Sequence, residues 1–549
     1  MSEKIDTAVF PAWAGQPPDI ADSEIAETIA SDVVVVGSGN AGVLAAAAAA
    51  FAGASVSVIE QQSREKLHMY GLADVGTINS RWAENNGVPH VDEAEFIAEW
   101  QHRTQNRSDP RLISQFAYHS GEMLDWLLSL MSPMLTGRLN TSNYPCPFQT
   151  YDGSVSGFRS WAGTCELHNW DTGVRQVIAQ AEKRGAAWYF GNTAVVLTKA
   201  GGRVTGCIAR TKEGKYVHYT AKKGVILAAG DFGANHDMYV HFHQEIVMQY
   251  ESMGLPTDRL RTAMGRDGMG QKLAVWAGGS MEPGPYACIY PTAGGPKTDV
   301  DANLAEWNGG GGAGGFQGTS FLRLDARGRR YCDEGIMGIY GILHRTYRNG
   351  GGTTYSVFDS QWFDYVQRQC HEHFMPYKNE LLWAERTKVV LARALAAGKS
   401  GVGTGRGKEP NLFAANTLPE LADILGFRGE EKKTFLASVE RYNEHCRAGR
   451  DADFGKDPKL LLAVDKGPFY AIKTVLTQPD TGLVGLNGVV TDENQAVLGK
   501  DFRPIPGLYA TGTCGGGKFF MQYSSVTSGL AVGTAMTFGM LVGRHVASL

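Results

Sequence analysis

Three glycines, spaced as Gly37-x-Gly39-x-x-Gly42, are the residues whose types and spacing point most directly to chemistry. In this spacing the first glycine permits a tight turn, and the second lets a pyrophosphate approach the backbone. The third lets a helix pack against a strand. Glu60 follows about twenty residues later, where an acid can accept a hydrogen bond from a ribose hydroxyl. The pattern therefore predicts a dinucleotide site.

The elements that position this turn lie on either side of it. Residues 33–36 are consecutive valines, which favours a buried parallel strand, and the alanine-rich run after Gly42 predicts a helix. Its N-terminus would present backbone N–H groups to phosphate. Residues 55–59 predict a second strand that ends at Glu60. A strand–turn–helix unit without ligand and an NAD site are the alternatives. The N-terminal arm, a distant second pair of strands and a glycine-rich loop near the C-terminus favour FAD.

The composition limits the classes of function. A chain of 549 residues is too long for one ordinary core and predicts two or more domains. Its 52 basic and 56 acidic residues nearly balance, so we expect neither a nucleic-acid groove nor a basic membrane face. The eight cysteines form no CxxC pair, which argues against an iron–sulfur cluster or a zinc site, and we expect no metal.

The N-terminal segment lacks the features of a secretory signal, because no charged region precedes an apolar one there. The longest apolar stretch, residues 41–54, is too short to span a bilayer. We therefore expect a cytoplasmic protein without a transmembrane segment.

The order of apolar and glycine-rich segments predicts an α/β protein. We expect a Rossmann-like FAD-binding domain that is split in sequence by an inserted α+β cap domain. The predicted divisions are an N-terminal arm at residues 1–30, the first part of the FAD-binding domain at 31–284, the cap or substrate domain at 285–467, and the second part of the FAD-binding domain at 468–549.

Four segments resemble the flavoprotein class of fumarate reductase and succinate dehydrogenase, which includes the 3-ketosteroid dehydrogenases. They are the glycine turn, residues 226–235 (ILAAGDFGAN), residues 327–334 (RGRRYCDE) and residues 504–512 (PIPGLYATG) with their continuation to residue 539. The resemblance implies FAD, a mobile cap, and hydride transfer at flavin N5, either onto an activated C=C bond or from a CH–CH pair. It also places the start of the last helix, near Ser528, at the pyrimidine end of the flavin, where the helix dipole would stabilise an anionic reduced ring.

The residues predicted to contact the cofactor follow from the turn and from this resemblance. They are Gly37, Ser38, Gly39, Asn40, Ala41, Gly42, Glu60, Gln61, Gly71, Val195, Ala229, Gly230, Asn235, Gly512, Ser528, Gly529 and Leu530.

The segments that hold substrate in fumarate reductases differ in this chain. The family's arginine before the last helix would fall near Val526, where no arginine stands, although Tyr523 lies close by. Its cap arginine would fall at Gly338, two residues before Tyr340, and its His-Pro-Thr begins here with Tyr290. Two desolvated carboxylates need charged partners, so a dicarboxylate substrate is disfavoured. Tyr340, Tyr523 and Tyr290 are the candidate catalytic residues; the alternative for each is a packed aromatic with a satisfied hydroxyl.

A carbonyl-bearing, largely apolar small molecule is the expected substrate, because a phenol can hydrogen-bond a carbonyl oxygen and deliver a proton. The leading hypothesis is an ene-reductase of α,β-unsaturated carbonyl compounds. A ketosteroid-type dehydrogenase that uses the same site in reverse is the alternative, and a flavin electron carrier without substrate chemistry is the third. The sequence contains no evident second nucleotide motif, so we expect a separate electron donor or acceptor.

Overall fold

The computed structural model describes most of the chain. The described residues are 10–67, 69, 74–135, 138–139, 161, 163–167, 169–252, 254–258, 260–262, 265–284, 286, 288–289, 320–334, 353–368, 380–403, 410–475, 480–482, 484–520, 523–524 and 526–549. Tyr290, Tyr340 and Gly71 lie outside these ranges, so their predicted roles stay predictions.

The largest sheet has eight strands and joins both ends of the chain. Its main path runs in the order Ala496–Leu498, Pro504–Ala510, Tyr216–Leu227, Ile25–Val36, Val56–Glu60 and Ala186–Phe190. Neighbours on this path pair in parallel, except that the first two are antiparallel. Strands Asn192–Ala200 and Arg203–Thr211 add an antiparallel extension beside Tyr216–Leu227. This sheet confirms the predicted Rossmann-like domain.

The first strand begins earlier than the sequence suggests. Ile25 already pairs with Tyr216, so the strand starts inside the predicted arm of residues 1–30. Residues 25–30 (IAETIA) are mostly exposed, and their apolar residues do not alternate regularly with polar ones. They are extended because Tyr216–Leu227 continues beyond the core and offers its edge for pairing.

Two helices from opposite ends of the chain pack against each other on this sheet. Asn40–Phe51 is buried over nearly its whole length. Leu530–Ser548 lies against it so closely that a Cβ at Gly539 would lie 2.3 Å from the carbonyl oxygen of Ala41. Among the described residues it is the one helix long and apolar enough to cross a bilayer, yet 67% of its most apolar window is buried in the protein. Its apolar character therefore has a packing explanation.

Further helices and short strands complete this part of the chain. The further helices of this part are Arg81–Asn85, Glu93–Arg103, Pro110–Ser129, Trp170–Glu182, His236–Phe242, Gln244–Ser252 and Met269–Trp276. Short strands form three small sheets: Asp74–Val75 with Cys165–Glu166 and Arg138–Leu139, Arg261–Thr262 with Asp480–Gly482, and Cys288–Ile289 with Val484–Gly485.

A second unit contains a four-stranded antiparallel sheet. Its order is Leu322–Asp325, Thr353–Phe358, Phe469–Val475 and Leu412–Ala415. The helices Trp362–Arg368, Glu380–Ala397, Leu418–Leu425 and Gly429–Ala448 accompany it. This α+β unit corresponds to the predicted cap. Its third strand lies beyond the predicted boundary at residue 467, because Phe469–Val475 pairs with cap strands on both sides.

A buried ion network stabilises the start of the cap. The guanidinium of Arg330 pairs with Glu334 at 2.9 Å and with Asp451 at 2.8 Å, and the ammonium of Lys456 lies 3.2 Å from Glu334. The side chain of Arg330 is 6% exposed and the other three are fully buried. The segment that resembles the family's cap motif is therefore held by charge pairs in the interior.

Candidate functional site

A deep cavity opens where the central parallel strands end, which is the usual ligand position in such sheets. Its walls continue from the strand ends at Val36, Glu60, Leu227 and Ala510. The predicted residues that line it are Gly37, Ser38, Gly39, Asn40, Ala41, Glu60, Gln61, Ala229, Gly230, Gly512, Tyr523 and Gly529.

Glycine occupies the three positions of the turn for different physical reasons. Gly37 has a φ of +98°, and a Cβ there would lie 2.5 Å from the carbonyl oxygen of Ala228. A Cβ on Gly42 would lie 2.0 Å from the carbonyl oxygen of Gly37. Gly39 has an ordinary φ of −76°, and a Cβ there would meet no protein atom within 4 Å. The protein itself requires the first and third glycines, whereas the second leaves open space for a ligand.

Tryptophans fix the polar side chains of the turn. The indole N–H of Trp188 donates to Ser38 Oγ at 2.9 Å, and that of Trp170 donates to Asn40 Oδ1 at 2.8 Å. Both hydrogen bonds come from elements far away in sequence, so the conformation of the turn is set before any ligand binds.

Glu60 fastens the same turn. Its carboxylate accepts the backbone N–H of Ser38 at 2.8 Å and that of Gln62 at 2.7 Å. Burial raises the pKa of Glu60, while these two hydrogen bonds and the charge of Arg266 act in the opposite direction. The carboxylate therefore couples the second strand to the glycine turn, and its predicted contact with a ribose stays a prediction.

Two helix N-termini face the cavity. Asn40–Phe51 begins after Gly39 and Leu530–Ser548 begins after Gly529, and no side chain caps either helix. Gly529 has a φ of +69°, and a Cβ there would lie 2.4 Å from the carbonyl oxygen of Asp74. Each helix dipole places partial positive charge at its N-terminus. The cavity therefore suits a ligand with two separate anionic centres, such as a pyrophosphate and a reduced flavin ring.

Tyr523 is the predicted catalytic tyrosine that the structure places in the cavity. It is 2% exposed, and its hydroxyl oxygen accepts the backbone N–H of Ala531 at 3.0 Å. The apolar side chains of Val484, Val532 and Ala535 also line the cavity, as does Asp74, whose carbonyl oxygen lies against Gly529.

A buried arginine holds the segment that carries Tyr523. Arg103, whose side chain is fully buried, donates to the carbonyl oxygen of Ser524 at 2.7 Å and pairs with Glu99 at 2.9 Å. The phenol therefore lies on a supported segment at the end of a helix.

Five predicted cofactor residues do not line the cavity, although each neighbours residues that do. Val195 falls at a bulge between Ala194 and Val196, which leaves residues 192–194 on the wall. Asn235 caps the helix His236–Phe242 by accepting the N–H of Met238 at 3.1 Å. The other three contact the protein itself. Gly42 packs under the carbonyl oxygen of Gly37, the carbonyl oxygen of Ser528 accepts a hydrogen bond from the hydroxyl of Thr164, and Leu530 is buried in the core.

Several polar wall residues were not predicted. Asp231 is buried and accepts the backbone N–H groups of Gly485 at 2.5 Å and of Arg266 at 2.7 Å, so it ties three segments together. Burial raises its pKa to about 6. Its position beside Gly230 was a usable signal, but nothing in the sequence marks Arg266. The others are Gln62, Asp74, Asn192, Thr193, Asp267, Thr511 and Thr513.

The described residues offer one grouping of metal-ligand type, namely His445, Asp451 and Asp453 in the cap. Arg330 already pairs with Asp451 at 2.8 Å, and Arg441 pairs with Asp453 at 2.5 Å. These ion pairs account for the cluster, so we assign no metal to it.

Residues 32–525 match the protein family described as the FAD binding domain. The chain is similar to a vinyl phenol reductase of Lactiplantibacillus plantarum, with 26% identity over 537 residues that cover 94% of this chain and 96% of that protein. It is also similar to a fumarate reductase (cytochrome) of Shewanella frigidimarina, with 24% identity over 97% of this chain and 82% of that protein. The solved structure of 3-ketosteroid-delta4-(5alpha)-dehydrogenase from Rhodococcus jostii RHA1 matches with a TM-score of 0.67 and 19% identity, over 97% of this chain and 100% of that one, which shows a shared fold.

Proposed function

The chain belongs to the FAD binding domain family, and from this premise we propose that it is a reductase of activated C=C bonds in α,β-unsaturated carbonyl compounds. FAD is its cofactor, and it is an FAD-dependent oxidoreductase that acts on CH–CH groups. The direction of the reaction and the class of substrate are the proposal.

The residues of the cavity fit FAD in detail. Open space above Gly39, at the start of a helix, suits the pyrophosphate, and the carboxylate of Glu60 suits a ribose hydroxyl. The second helix N-terminus, at Gly529, suits the electron-rich end of a reduced flavin. Bound FAD supplies or accepts the hydride.

The observation that carries the proposal is the environment of Tyr523. Its hydroxyl oxygen accepts the N–H of Ala531 at the positive end of the last helix, so negative charge on that oxygen is stabilised when the phenol gives up its proton. The same hydroxyl is suited to binding a carbonyl oxygen on which charge develops. The neighbouring apolar wall favours a substrate that is mainly hydrocarbon.

The names of two relatives support reduction of a C=C bond, since vinyl phenol and fumarate both contain one. The two substrates differ in charge, and the site favours the less charged class. Among the described residues that line the cavity there is one cation, the guanidinium of Arg266, which lies against Gly230 and not against Tyr523.

The test is anaerobic reoxidation of the reduced protein-bound flavin. Enones, enoates, vinyl phenol, fumarate and unsaturated steroids are mixed with it in turn, and the flavin absorbance is followed. We expect enones to reoxidise the flavin. Tyr523→Phe should slow this step by about 10²- to 10⁴-fold if the phenol is the general acid. Tyr118→Phe is the matched control, because that phenol is 59% exposed.

Other outcomes redirect the proposal. Rapid reoxidation by fumarate alone would assign a dicarboxylate substrate, and reoxidation by vinyl phenol alone would remove the carbonyl requirement. Bleaching of the oxidised flavin by saturated ketosteroids would assign the dehydrogenase instead. If no compound changes the flavin absorbance, the third hypothesis, a flavin electron carrier, would be favoured. A separate electron donor and a cytoplasmic location remain predictions, which purification of the reductant and cell fractionation would test.

A further inference from the structure

A loop of three glycines connects two parts of the cavity wall. Residues 511–513 line the cavity before it, and Tyr523 lines the cavity after it. The loop itself, Gly515 to Gly517, is enclosed: a Cβ on Gly516 would lie 1.7 Å from a carboxylate oxygen of Glu282, and one on Gly515 would lie 2.7 Å from the carbonyl oxygen of Ala510. A side chain at either position would therefore collide with its neighbours.

Two buried charges hold this loop by its peptide groups. Glu282 accepts the backbone N–H of Gly517 at 2.5 Å. Lys518 donates its ammonium protons to the carbonyl oxygens of Gly515 at 2.5 Å and of Gly516 at 3.3 Å. The anion therefore binds the positive end of the peptide group between Gly516 and Gly517, and the cation binds the negative end of that same peptide group and of the one before it. Glu282 is 7% exposed and Lys518 is 5% exposed.

Neighbouring elements fix both side chains. The amide of Asn487 donates to the carboxylate of Glu282 and also to the carbonyl oxygen of Phe520 at 2.9 Å. The ammonium of Lys518 lies 5.5 Å from the centre of the Phe538 ring, on the last helix. The indole of Trp100 donates to the backbone oxygen of Lys518 at 2.9 Å. Four separate elements thus converge on the loop.

The free energy needed to bury these two charges suggests that they have a role beyond stability. Burial raises the pKa of Glu282 and lowers the pKa of Lys518, and the attraction between their charges opposes both changes. Burying two charges costs several kcal/mol each, and apolar residues of similar volume often give equal stability. Stability alone therefore does not explain the pair.

Other titratable groups face the pair from the surrounding elements. Burial raises the pKa of the Cys514 thiol to about 12, and it raises the pKa of the Tyr286 phenol above its usual value. Asp109, whose backbone N–H donates to Gly517, has its carboxylate paired with Arg111 at 2.8 Å. Burial thus shifts the pKa values of the thiol and the phenol away from neutral pH, whereas it shifts those of Glu282 and Lys518 toward it.

We propose that Glu282 and Lys518 are positioning residues, which hold residues 511–520 and Tyr523 against the flavin and make its reduction potential depend on their joint charge state. Both act through the glycine loop, on the wall at Thr511 to Thr513 and on Tyr523. The proposal uses the FAD site for its first two readouts, and it rests on the proposed reductase function only for the catalytic one.

The experiment compares Glu282→Gln, Lys518→Met and the double variant with wild type as holoprotein. It measures the FAD dissociation constant, the flavin midpoint potential from about pH 6 to pH 9, and the rate of flavin reoxidation. Each single variant leaves one buried charge without its partner, so we expect it to bind FAD about tenfold or more weakly, with the double variant closer to wild type. The pH dependence of the potential should differ from wild type in all three. Lys500→Met, at an exposed lysine, is the control.

Equal potentials and FAD affinities across all variants over this pH range would overturn the proposal, as would additive effects of the two single changes. If the single variants fail to fold, the double variant carries the test, because it leaves no unpaired charge. If that also fails, a wild-type potential with the pH dependence of free FAD would overturn it. Altered potentials with no enone turnover in any protein would support the positioning role and reject the reductase.

Discussion

The open space above Gly39 allows a prediction in which one substitution should change the affinity for FAD but not the stability of the apoprotein. The change Gly39→Ala adds a methyl group that meets no protein atom within 4 Å, at a φ of −76° that alanine adopts freely. Alanine is a poorer helix N-cap than glycine, whereas it also restricts the unfolded chain, and each effect is about 0.5–1 kcal/mol. Since they oppose each other, the apoprotein should unfold within about 1 kcal/mol of wild type.

The effect on FAD binding should be much larger. The methyl group projects into the space where a pyrophosphate would approach the start of the helix Asn40–Phe51. Displacing the phosphates by an atom's width breaks one or two hydrogen bonds to a charged group, each worth about 1.5–3 kcal/mol. A loss of about 2–4 kcal/mol corresponds to roughly 30- to 1000-fold weaker binding.

The assay is a titration of apoprotein with FAD, followed by flavin fluorescence or calorimetry, beside thermal unfolding of the apoprotein. Gly42→Ala is the matched comparison, since its Cβ would lie 2.0 Å from the carbonyl oxygen of Gly37 and should destabilise the apoprotein itself. If Gly39→Ala binds FAD as tightly as wild type, the pyrophosphate does not lie against this turn, and the assignment of the cavity is wrong.

Three further changes test other parts of the structure. Glu60→Gln replaces an acceptor of two backbone N–H groups with an amide that accepts only one, so FAD affinity should fall by about 1–3 kcal/mol, whereas the exposed Glu65→Gln should leave titrations unchanged. Burial raises the pKa of Asp231 from 3.8 to about 6, so the folded apoprotein binds a proton that the unfolded chain has lost, and its free energy of unfolding should fall as the pH rises from about 4 to 6. Denaturant unfolding should show this dependence on pH in wild type but not in Asp231→Asn. An equal dependence in both proteins would contradict the raised pKa of Asp231. Arg330→Met leaves Glu334 and Asp451 buried without their guanidinium, so the free energy of unfolding measured with denaturant should fall by about 3–5 kcal/mol. Arg327→Met removes an exposed arginine and should change it little. Equal stabilities of the two variants would mean that the network is not needed to stabilise the cap.

The parts of the site that are local in sequence were predictable. The glycine turn, Glu60 and the helix after residue 42 depend on one strand–turn–helix unit, whose spacing is fixed by backbone geometry. The start of the last helix at Leu530 was likewise within reach, because the Ser528–Gly529 turn precedes a long apolar run. In each case the residues that determine the structure lie within a few positions of those that use it.

Features that depend on distant pairing were not predictable. Residues 25–30 form a strand only because the edge of Tyr216–Leu227 extends past the core, and Val195 misses the cavity because a bulge shifts its register. Asp231 and Gly485 are neighbours in space but 254 positions apart in the chain. Periodicity contains no information about such contacts.

The direction in which the cations point distinguishes the two ends of the cavity. Arg266 lines the wall near Gly230, and its charge opposes the rise in the pKa of Glu60 and Asp231 that burial causes. At the Tyr523 end the nearby cations are Lys518 and Arg103, and both are bound to backbone carbonyl oxygens of the supporting loop. A cation held in this way fixes the loop but offers no charge to a substrate carboxylate. The described wall here combines a phenol supported by a helix N-terminus with the apolar side chains of Val532 and Ala535 and with Asp74, and its phenol is suited to a neutral carbonyl group that becomes negatively charged during hydride transfer.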